Sequence, residues 1–272
     1  MASQDVTDFT SVDHTASPGF FLHFLDQANE LLAGGAWKPA MLDGLRLEAG
    51  MKVLDVGCGA GDDAFNMAVR VMPGGQVTGV DLSESLITEA VRRLSGRDLP
   101  VNFEHGDAQA LRFPDMSFDA VRCERMLMHV PDAARAVSEM ARVVRPGGRI
   151  VVQDFDWETQ FCDSPYKETT RKITLSFCDT MKNGWIGRCL PRLFREAGIS
   201  DIATSFHTLP VTYNFLQLLL GGHVARAVHT GALGAQQANL WWTHLAEADA
   251  SGAFLYGFTA FVVCGVKPPL CV

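Results

Sequence analysis

The feature that most constrains the fold of this chain is the stretch from Val53 to Asp63, VLDVGCGAGDD. Its first four residues have the character of a buried strand, and three glycines follow within five positions. Glycines at the carboxyl end of a strand let the backbone turn sharply and come close to a bound molecule, at the edge where open α/β sheets bind their ligands. The stretch therefore predicts the first strand of a parallel sheet and a ligand-binding loop after it.

Apolar runs and helical patterns alternate from residue 51 to about residue 155, an order typical of parallel strands joined by crossover helices. The alternation predicts an α/β core. The strands are expected at residues 51–56, 76–80, 101–105, 118–123 and 149–155. The helices are expected at residues 62–72, 83–95 and 132–144, and the last is closed by RPGGR, which places Pro and Gly just past its end.

Two regions depart from this alternation. Residues 18–43 have the pattern of two amphipathic helices, with Gly34 and Gly35 as the hinge between them. Residues 157–250 are mostly helical in pattern and contain one further strand, expected at 201–209. The segment FLYGFTAFVVCGVKP after them is strand-like, and we expect it to pair antiparallel with that further strand.

Composition excludes several classes of protein. The 272 residues are 47 % hydrophobic, which is enough for one large core. The net charge of -8 and the pI near 5.4 indicate no overall basic surface for binding nucleic acid. The seven cysteines are scattered without a C-x-x-C pair, so we expect reduced thiols and neither a disulfide framework nor a metal site. The sequence MASQDVTDFT has no signal-peptide pattern and no apolar run reaches about 18 residues. We therefore expect a cytoplasmic protein without a membrane span.

The glycine spacing bears on the kind of cofactor. A dinucleotide fingerprint is G-x-G-x-x-G with a pyrophosphate at the helix start, whereas this chain has G-x-G-x-G followed by Asp62 and Asp63. Two carboxylates at a helix start repel a pyrophosphate and favour a ligand with a cationic end. Asp81, after the second strand, stands where a carboxylate accepts ribose hydroxyls, or else it caps the next helix. Asp107 in HGDAQAL is an acceptor for an adenine amino group or a turn carboxylate.

Together these motifs resemble the class I S-adenosylmethionine-dependent methyltransferases, and within them the ubiquinone/menaquinone-type (methyltransferase type 11-like) group that acts on small molecules. The matching motifs are VLDVGCGAGD, VTGVDLSESLITEA, VNFEHGDAQALRFPDMSFDAV, MHVPD and VVRPGGRIVV, in the family's order between residues 51 and 155. The resemblance implies an α/β fold, a Rossmann-like seven-stranded sheet with helices on both faces and one antiparallel strand at its end. It also implies S-adenosylmethionine as the cofactor and S-adenosylhomocysteine as the product.

We expect a single domain in three parts. Residues 1–45 are an N-terminal helical lid, residues 46–156 the α/β core that binds S-adenosylmethionine, and residues 157–272 the remaining strands with a helical cap over the substrate. A lid is expected because a methyl-transfer site must admit the cofactor and then keep water away from the sulfonium.

The resemblance assigns cofactor contacts to the matched residues. The first loop and its surroundings would hold the methionine part, and the residues concerned are Asp55, Gly57, Cys58, Gly59, Gly61 and Asp62. Asp81 would bind the ribose and Leu82 would pack on the adenine, whose amino edge would face Asp107 and Ala108.

The acceptor of the methyl group is expected beyond the fourth strand. The backbone of Glu124 and Arg125 would border the sulfonium. His129 in ERMLMHVPD is the candidate general base, or else a histidine that packs the start of the next helix. Neighbouring acidic groups are expected to favour its charged form. Asp154 and Asp156, near the end of the fifth strand, are expected to face the same cleft.

We expect the acceptor to be a partly apolar small molecule such as a quinone, a polyketide or another secondary metabolite, with oxygen slightly favoured over nitrogen or carbon. The Asn/Asp-Pro-Pro-aromatic motif of enzymes that methylate exocyclic amines is replaced by CERM. Two or three of eight aromatic residues are expected to line the acceptor pocket: Phe20, Phe21, Phe24, Trp157, Trp185, Phe215, Trp241 and Trp242. The alternatives are a protein of this fold that binds the cofactor but catalyses another reaction such as a cyclisation, and a non-catalytic binding or assembly factor. The sequence leaves the oligomeric state open.

Overall fold

The computed structural model describes residues 5–15, 18–32, 35 and 37–269. Within them, seven strands form one sheet in the order β3-β2-β1-β4-β5-β7-β6. The strands are β1 Lys52–Val56, β2 Gln76–Asp81, β3 Val101–His105, β4 Phe118–Glu124, β5 Val144–Cys162, β6 Ser200–Pro210 and β7 Tyr256–Val266.

Helices precede the sheet, connect its strands and form most of the region between β5 and β7. A 3-10 helix, Val6–His14, comes first. The α-helices of the described residues are α1 Pro18–Leu32, α2 Trp37–Leu45, α3 Asp62–Val71, α4 Glu84–Leu94, α5 Ala133–Val143, α6 Lys167–Thr180, α7 Ile186–Glu196, α8 Tyr213–His229 and α9 Ala235–Ala250. No helix among these residues is long and apolar enough to cross a bilayer.

The strand pairing confirms the sequence-based fold class. Strands β1 to β5 are mutually parallel, and β7 runs antiparallel to both β5 and β6. The expected pairing of the two late strands is found, for example, at Phe206 and Phe261. Strand β2 lies on one side of β1 and β4 lies on the other, so the strand order reverses at β1. At such a point a crevice opens between the carboxyl ends of the adjacent strands β1 and β4.

The connection from α5 to β5 differs in detail from the expectation. Helix α5 ends at Val143, one residue before the expected end, and β5 begins at once and includes the sequence RPGGR. The register between β4 and β5 shifts between Phe118 and Ala120, and Gly147 has φ +78°. The Pro and Gly residues therefore shape an irregular strand start.

The two expected helices between residues 18 and 43 are present as α1 and α2. Of the expected hinge, Gly34 lies outside the described residues and Gly35 precedes α2. A Cβ atom on Gly44 of α2 would lie 2.5 Å from Cys264 Sγ, so α2 packs closely on the sheet at β7. The fully buried Trp37 and Met41 lie in α2 and belong to the main core.

The N-terminal strap, residues 5–15, falls within the expected lid, but its 3-10 helix and its attachment to α4 were not predicted. At its start, Asp5 Oδ1 accepts a hydrogen bond from the backbone N–H of Thr7 at 2.9 Å. Near its end, the Asp13 carboxylate accepts bonds from Ser83 Oγ at 2.9 Å and from the backbone N–H of Glu84 at 2.8 Å. Burial alone would raise the pKa of Asp13, but these bonds outweigh burial and lower it. The strap is thus fastened to the first turn of α4.

Candidate functional site

A cavity of about 380 Å³ opens at the carboxyl ends of β1, β2, β3 and β4. It brings together most of the residues that the sequence singled out. Those that line it are Gly57, Cys58, Gly59, Asp62, Asp81, Leu82, Asp107, Ala108, Glu124, Arg125 and His129. Asp55 and Gly61 do not line it.

The three loop glycines have different reasons to be glycine. Gly57, Gly59 and Gly61 all have positive φ, at +74°, +54° and +89°. A Cβ atom on Gly59 would meet only Leu25, at 3.5 Å, so the space above Gly59 is open to the cavity. A Cβ atom on Gly61 would lie 2.5 Å from Phe103 Cζ. Gly61 therefore allows the start of α3 to pack on the sheet, while Gly57 and Gly59 border the cavity.

Asp81 links the end of β2 to the glycine loop. Its Oδ2 accepts from the backbone N–H of Gly59 at 2.9 Å, and its Oδ1 accepts from the backbone N–H of Ser83 at 3.0 Å. Ser83 is the N-cap of α4, because its Oγ accepts from the N–H of Leu86 at 3.2 Å. The capping alternative for Asp81 is therefore wrong. Burial raises the pKa of Asp81, and the two backbone donors oppose that rise.

Asp107 makes the turn contact and also lines the cavity. Its Oδ1 accepts from the backbone N–H of Gln109 at 2.8 Å and from Gln109 Nε2 at 3.1 Å. The side-chain oxygen of Gln109 accepts in turn from the backbone N–H of Asp132 at 3.0 Å. The turn contact of Asp107 therefore does not conflict with its expected role as an acceptor for an adenine amino group. Gln109, which the sequence analysis missed, connects this turn to the start of α5.

A network of buried charges lies behind the glycine loop. Arg122 Nη1 donates to Asp55 Oδ1 at 2.8 Å, and Arg122 Nη2 donates to Asp63 Oδ2 at 2.6 Å and to Glu124. Lys38 of α2 donates to Asp63 at 2.6 Å and to Glu124 at 2.8 Å. Asp55 is fully buried within this network. It can support the cavity only through Arg122, so direct contact between Asp55 and a cofactor stays a prediction without support from the geometry.

The sequence suggested that the two carboxylates at the start of α3 carry free negative charge, but both are paired with nearby cations. Burial alone would raise the pKa of Asp63, but the charges of Arg122 and Lys38 outweigh burial and lower it. Asp62 is paired with Arg93 at 3.2 Å and accepts from Asn29 Nδ2 at 3.0 Å. The sequence held one signal of this network, since an arginine inside the apolar strand FDAVRC needs a buried anionic partner.

His129 lies at the cavity edge in an apolar setting. Burial lowers its pKa to about 4, with no contribution from an acidic neighbour. Its ring lies 5.2 Å from that of Phe9 in the strap, measured between ring centroids. The expectation that neighbouring acidic groups favour the charged form is therefore wrong. The imidazole is neutral at pH 7.

Asp154 and Asp156 do not face the cleft as expected. Both are fully buried. Asp154 accepts from the backbone N–H groups of Phe155 at 2.9 Å and of Met128 at 3.1 Å, and burial raises its pKa to about 7. Asp156 forms an ion pair with Arg188 of α7. Asp154 therefore holds the loop that carries His129, and Asp156 fixes α7.

A second cavity, about 50 Å³ in volume, adjoins the first. The two cavities share the side chains of Phe9, Leu25, Arg125 and His129. The other residues around the second cavity are apolar: Val6, Phe24, Ala28, Met128, Phe155, Trp157, Met181, Phe215, Leu219 and Phe258. Of the eight aromatic residues considered from the sequence, three line it: Phe24, Trp157 and Phe215. Their role in an acceptor pocket stays a prediction.

Arg125 stands at the junction of the two cavities. Its backbone φ of +53° is rare for a residue with a side chain. Its guanidinium donates to Asn29 Oδ1 and pairs with Glu124 Oε1 at 3.2 Å. The backbone N–H of Arg125 donates to the carbonyl of Gln153 in β5 at 3.0 Å. These contacts fix the Arg125 side chain where the two cavities meet.

The sheet order, the glycine loop at its crevice and the carboxylate after β2 define an α/β enzyme of the class that binds a nucleoside-containing cofactor. Residues 47–198 match a family model described as a methyltransferase domain, and the chain belongs to this family. It is a class I S-adenosylmethionine-dependent methyltransferase.

Three relatives illustrate the range of the similarity. An uncharacterized 37.1 kDa protein in transposon TN4556 of Streptomyces fradiae is 37% identical over 255 residues, which are 90% of this chain and 71% of that protein. A demethylmenaquinone methyltransferase of Listeria monocytogenes is 39% identical over 43% of this chain and 50% of its own length. A 27-O-demethylrifamycin SV methyltransferase of Amycolatopsis mediterranei is 43% identical over 41% of each chain. The two named enzymes therefore match less than half of this chain.

Three solved structures illustrate the likeness in fold. The YcgJ protein of Bacillus subtilis has a TM-score of 0.60 at 21% identity, covering 85% of this chain and 97% of that one. A phosphoethanolamine N-methyltransferase of Haemonchus contortus, in complex with S-adenosylhomocysteine, has a TM-score of 0.60 at 19% identity, covering 97% and 60%. The [4+2]-cyclase SpnF has a TM-score of 0.54 at 21% identity, covering 85% and 80%. At these identities the likeness shows the fold alone.

Proposed function

We propose that this methyltransferase transfers the methyl group to a hydroxyl oxygen of a partly apolar small molecule. One observation carries the proposal: an apolar cavity joins the glycine-loop cavity at His129 and Arg125. The residues around this second cavity include no carboxylate. The second cavity, at about 50 Å³, would take one small apolar group of the acceptor, and the reactive group of the acceptor would then lie towards the first cavity.

The residues of the first cavity fit S-adenosylmethionine. The open space above Gly59 admits a ligand against the backbone of the loop. Asp81 and Asp107 offer carboxylate oxygens to hydroxyl and amino donors, and Leu82, half exposed, offers an apolar surface for a base. Glu124 also lines this cavity, with its Oε1 paired to Arg125 at 3.2 Å and its Oε2 to Lys38 at 2.8 Å. When bound, S-adenosylmethionine supplies an electrophilic methyl group.

The residues of the chain would then align the acceptor and remove its proton. Phe9, Phe24 and Phe215 would surround an apolar group of the acceptor and exclude water there, which would help to hold the hydroxyl oxygen in line for attack. The neutral imidazole of His129 accepts the hydroxyl hydrogen bond. As the acceptor oxygen gains the methyl group it becomes a strong acid, and even an imidazole with a pKa of about 4 can then take its proton.

Two relatives support this class of acceptor. One is named for a demethylmenaquinone and the other for the 27-O position of a rifamycin. The oxygen position in the second name agrees with a hydroxyl acceptor. Incubation of the protein with radiolabelled S-adenosylmethionine and a panel of hydroxylated naphthoquinones and polyketides tests the proposal. Label should pass to a hydroxylated member and not to its O-methyl ether.

A cyclisation is the second candidate, and one observation favours it. The pKa of His129 is lowered to about 4, so the acceptor cavity lacks a base of ordinary strength among the described residues. A rearrangement within an apolar cavity needs no proton acceptor, and the [4+2]-cyclase SpnF shares the fold. Cofactor binding without label transfer to any hydroxylated acceptor would favour this candidate.

Replacement of Asp81 by alanine is expected to weaken binding of S-adenosylhomocysteine by about thirtyfold or more. The change removes charge-assisted bonds to the ribose hydroxyls and also the anchor of the Gly59 N–H. Calorimetric titration measures the effect, with Asp98→Ala at an exposed site as the matched control. Equal affinity in the two variants would remove Asp81 from the ribose site.

Replacement of Phe215 by leucine is expected to raise the KM for an apolar acceptor by about fivefold to tenfold. The aromatic side chain is buried at the wall of the second cavity, and the smaller side chain loses apolar contact with the acceptor. The affinity for S-adenosylhomocysteine should not change. Phe206→Leu, on the exposed side of β6, is the matched control. If both variants have the wild-type KM, the second cavity is not the acceptor site.

A further inference from the structure

A groove between α6 and α8, here called the α6–α8 groove, lies apart from both cavities of the catalytic site. Its volume is about 450 Å³. The residues that line it are Lys172, Ile173, Ser176, Thr180, His223, Arg226, Ala227, Thr230, Ala232 and Leu233. None of these residues is acidic, and none belongs to the two cavities of the catalytic site. Nothing in the proposed methyl transfer requires this groove.

The groove combines a cationic edge with an apolar floor. Lys172 is exposed and has no ion-pair partner within the described parts of the chain. Ile173 and Leu233 are buried along the groove. The buried His223 Nε2 lies 2.8 Å from Ser176 Oγ, while its Nδ1 is buried without a hydrogen-bond partner among the described residues. Such a lining suits a molecule with an apolar body and a carboxylate.

Arg226 connects the groove to the strap over the catalytic site. Its Nη2 lies 2.8 Å from Asp5 Oδ2 and donates to Thr7 Oγ1 at 3.0 Å. The Asp5 side chain is almost completely buried, whereas Arg226 is partly exposed in the groove. The strap carries Phe9, which lines both catalytic cavities. Arg226 therefore both lines the groove and fastens the start of the strap.

We propose that the α6–α8 groove binds a small carboxylic acid with an apolar body, and that this ligand competes with Asp5 for Arg226. When the ligand is bound, the strap loses its fastening at Asp5 and keeps the one at Asp13. The acceptor cavity then opens on the side of Val6 and Phe9. Binding at the groove and access to the catalytic site are thereby coupled through one competed ion pair.

The test uses phenylacetate as the probe, and phenylacetamide, which has the same body without the charge, as its matched control. Phenylacetate should bind the full chain saturably by calorimetry, and phenylacetamide should bind at least about tenfold more weakly. Lys172→Gln should weaken phenylacetate binding at least about fivefold. Lys167→Gln, also exposed on α6 but outside the groove, should leave it unchanged.

Asp5→Asn distinguishes competition from simple binding. Asparagine keeps the side-chain oxygen that bonds the N–H of Thr7 but removes the charge that engages Arg226. Phenylacetate should therefore bind Asp5→Asn at least about fivefold more tightly than the wild type. Circular dichroism confirms that the variant is folded.

Hydrogen exchange reports the coupling without any measurement of activity. In the wild type, phenylacetate should speed amide exchange in residues 5–15, and in Asp5→Asn exchange should be fast already and respond little. Absence of saturable binding, or equal losses in Lys172→Gln and Lys167→Gln, would overturn the site. Binding that is no tighter in Asp5→Asn, or that leaves exchange in the strap unchanged, would overturn the coupling. None of these outcomes depends on which reaction the catalytic site performs.

Discussion

Replacement of Arg122 by methionine is expected to lower the free energy of unfolding by about 3 to 5 kcal/mol at pH 7. Arg122 is buried and donates to Asp55, Asp63 and Glu124. Removal of the guanidinium leaves the fully buried Asp55 without its cation and leaves Lys38 as the partner of the other two carboxylates. An uncompensated buried charge costs far more than a lost surface ion pair.

The matched control is Arg145→Met. Arg145 pairs with Asp119 at 2.5 Å, but about half of the Arg145 side chain is exposed. We therefore expect a loss below about 1 kcal/mol. Both variants are measured by denaturant unfolding. If Arg122→Met is no less stable than Arg145→Met, the network does not support the loop in the way that we argue.

The pH dependence gives an independent check on the Arg122 network. In the wild type the neighbouring cations lower the pKa values of Asp63 and Glu124 below their usual range, against the effect of burial. The stability that these carboxylates contribute is therefore present above their unfolded pKa and is lost as the pH falls. In Arg122→Met the same carboxylates protonate more readily. The difference in stability between variant and wild type should thus shrink from pH 7 to pH 4.

The features predicted correctly from the sequence are local ones. The strands of the core are continuous apolar runs, the helices have clear stop and start signals, and the glycine loop is a contiguous motif. The positions of Asp81 and Asp107 at the cavity follow from their place after a strand, while their roles towards a cofactor stay predictions. Each of these signals lies within about ten residues of chain, where sequence pattern determines structure most directly.

The features that were missed depend on residues far apart in the sequence. The Arg122 network joins positions 38, 55, 63 and 124, and it exists because Asp55 and Arg122 are register partners on adjacent strands. The strap depends on Asp13 reaching Ser83 and Glu84, about 70 residues away. A single sequence shows the charges in these places but does not show which of them meet.

The setting of His129 was mispredicted for the same reason. Acidic residues stand close to His129 in the sequence, but their carboxylates form hydrogen bonds with other groups. Asp132 accepts from the backbone N–H of Arg135 at 2.9 Å, and Glu124 is engaged by Lys38. The surroundings of the imidazole come from the strap, through Phe9. Burial therefore determines the pKa of His129, in the direction opposite to the one expected.

Replacement of His129 by glutamine is expected to lower turnover by about 100-fold with little change in the affinity for S-adenosylhomocysteine. Glutamine can accept the hydroxyl hydrogen bond but cannot take the proton. His229→Gln, at the exposed end of α8, is the matched control and should keep full activity. Since the pKa of His129 is about 4, the activity of the wild type should not fall near pH 6.5. A loss centred at pH 6.5 that disappears in His129→Gln would contradict the lowered pKa of the imidazole.

Stability against pH separates a catalytic His129 from one that only packs the loop. The pKa of His129 in the folded state, about 4, lies below the value of about 6.5 for an unfolded histidine. The unfolded state therefore binds the proton first, and the wild type should lose up to about 3 kcal/mol of stability relative to His129→Gln as the pH falls from 6.5 to 4. This difference should appear whether or not the residue is catalytic. A His129→Gln protein that shows it and still turns over at the wild-type rate would leave the imidazole a purely structural role, and the acceptor would then be one that needs no base.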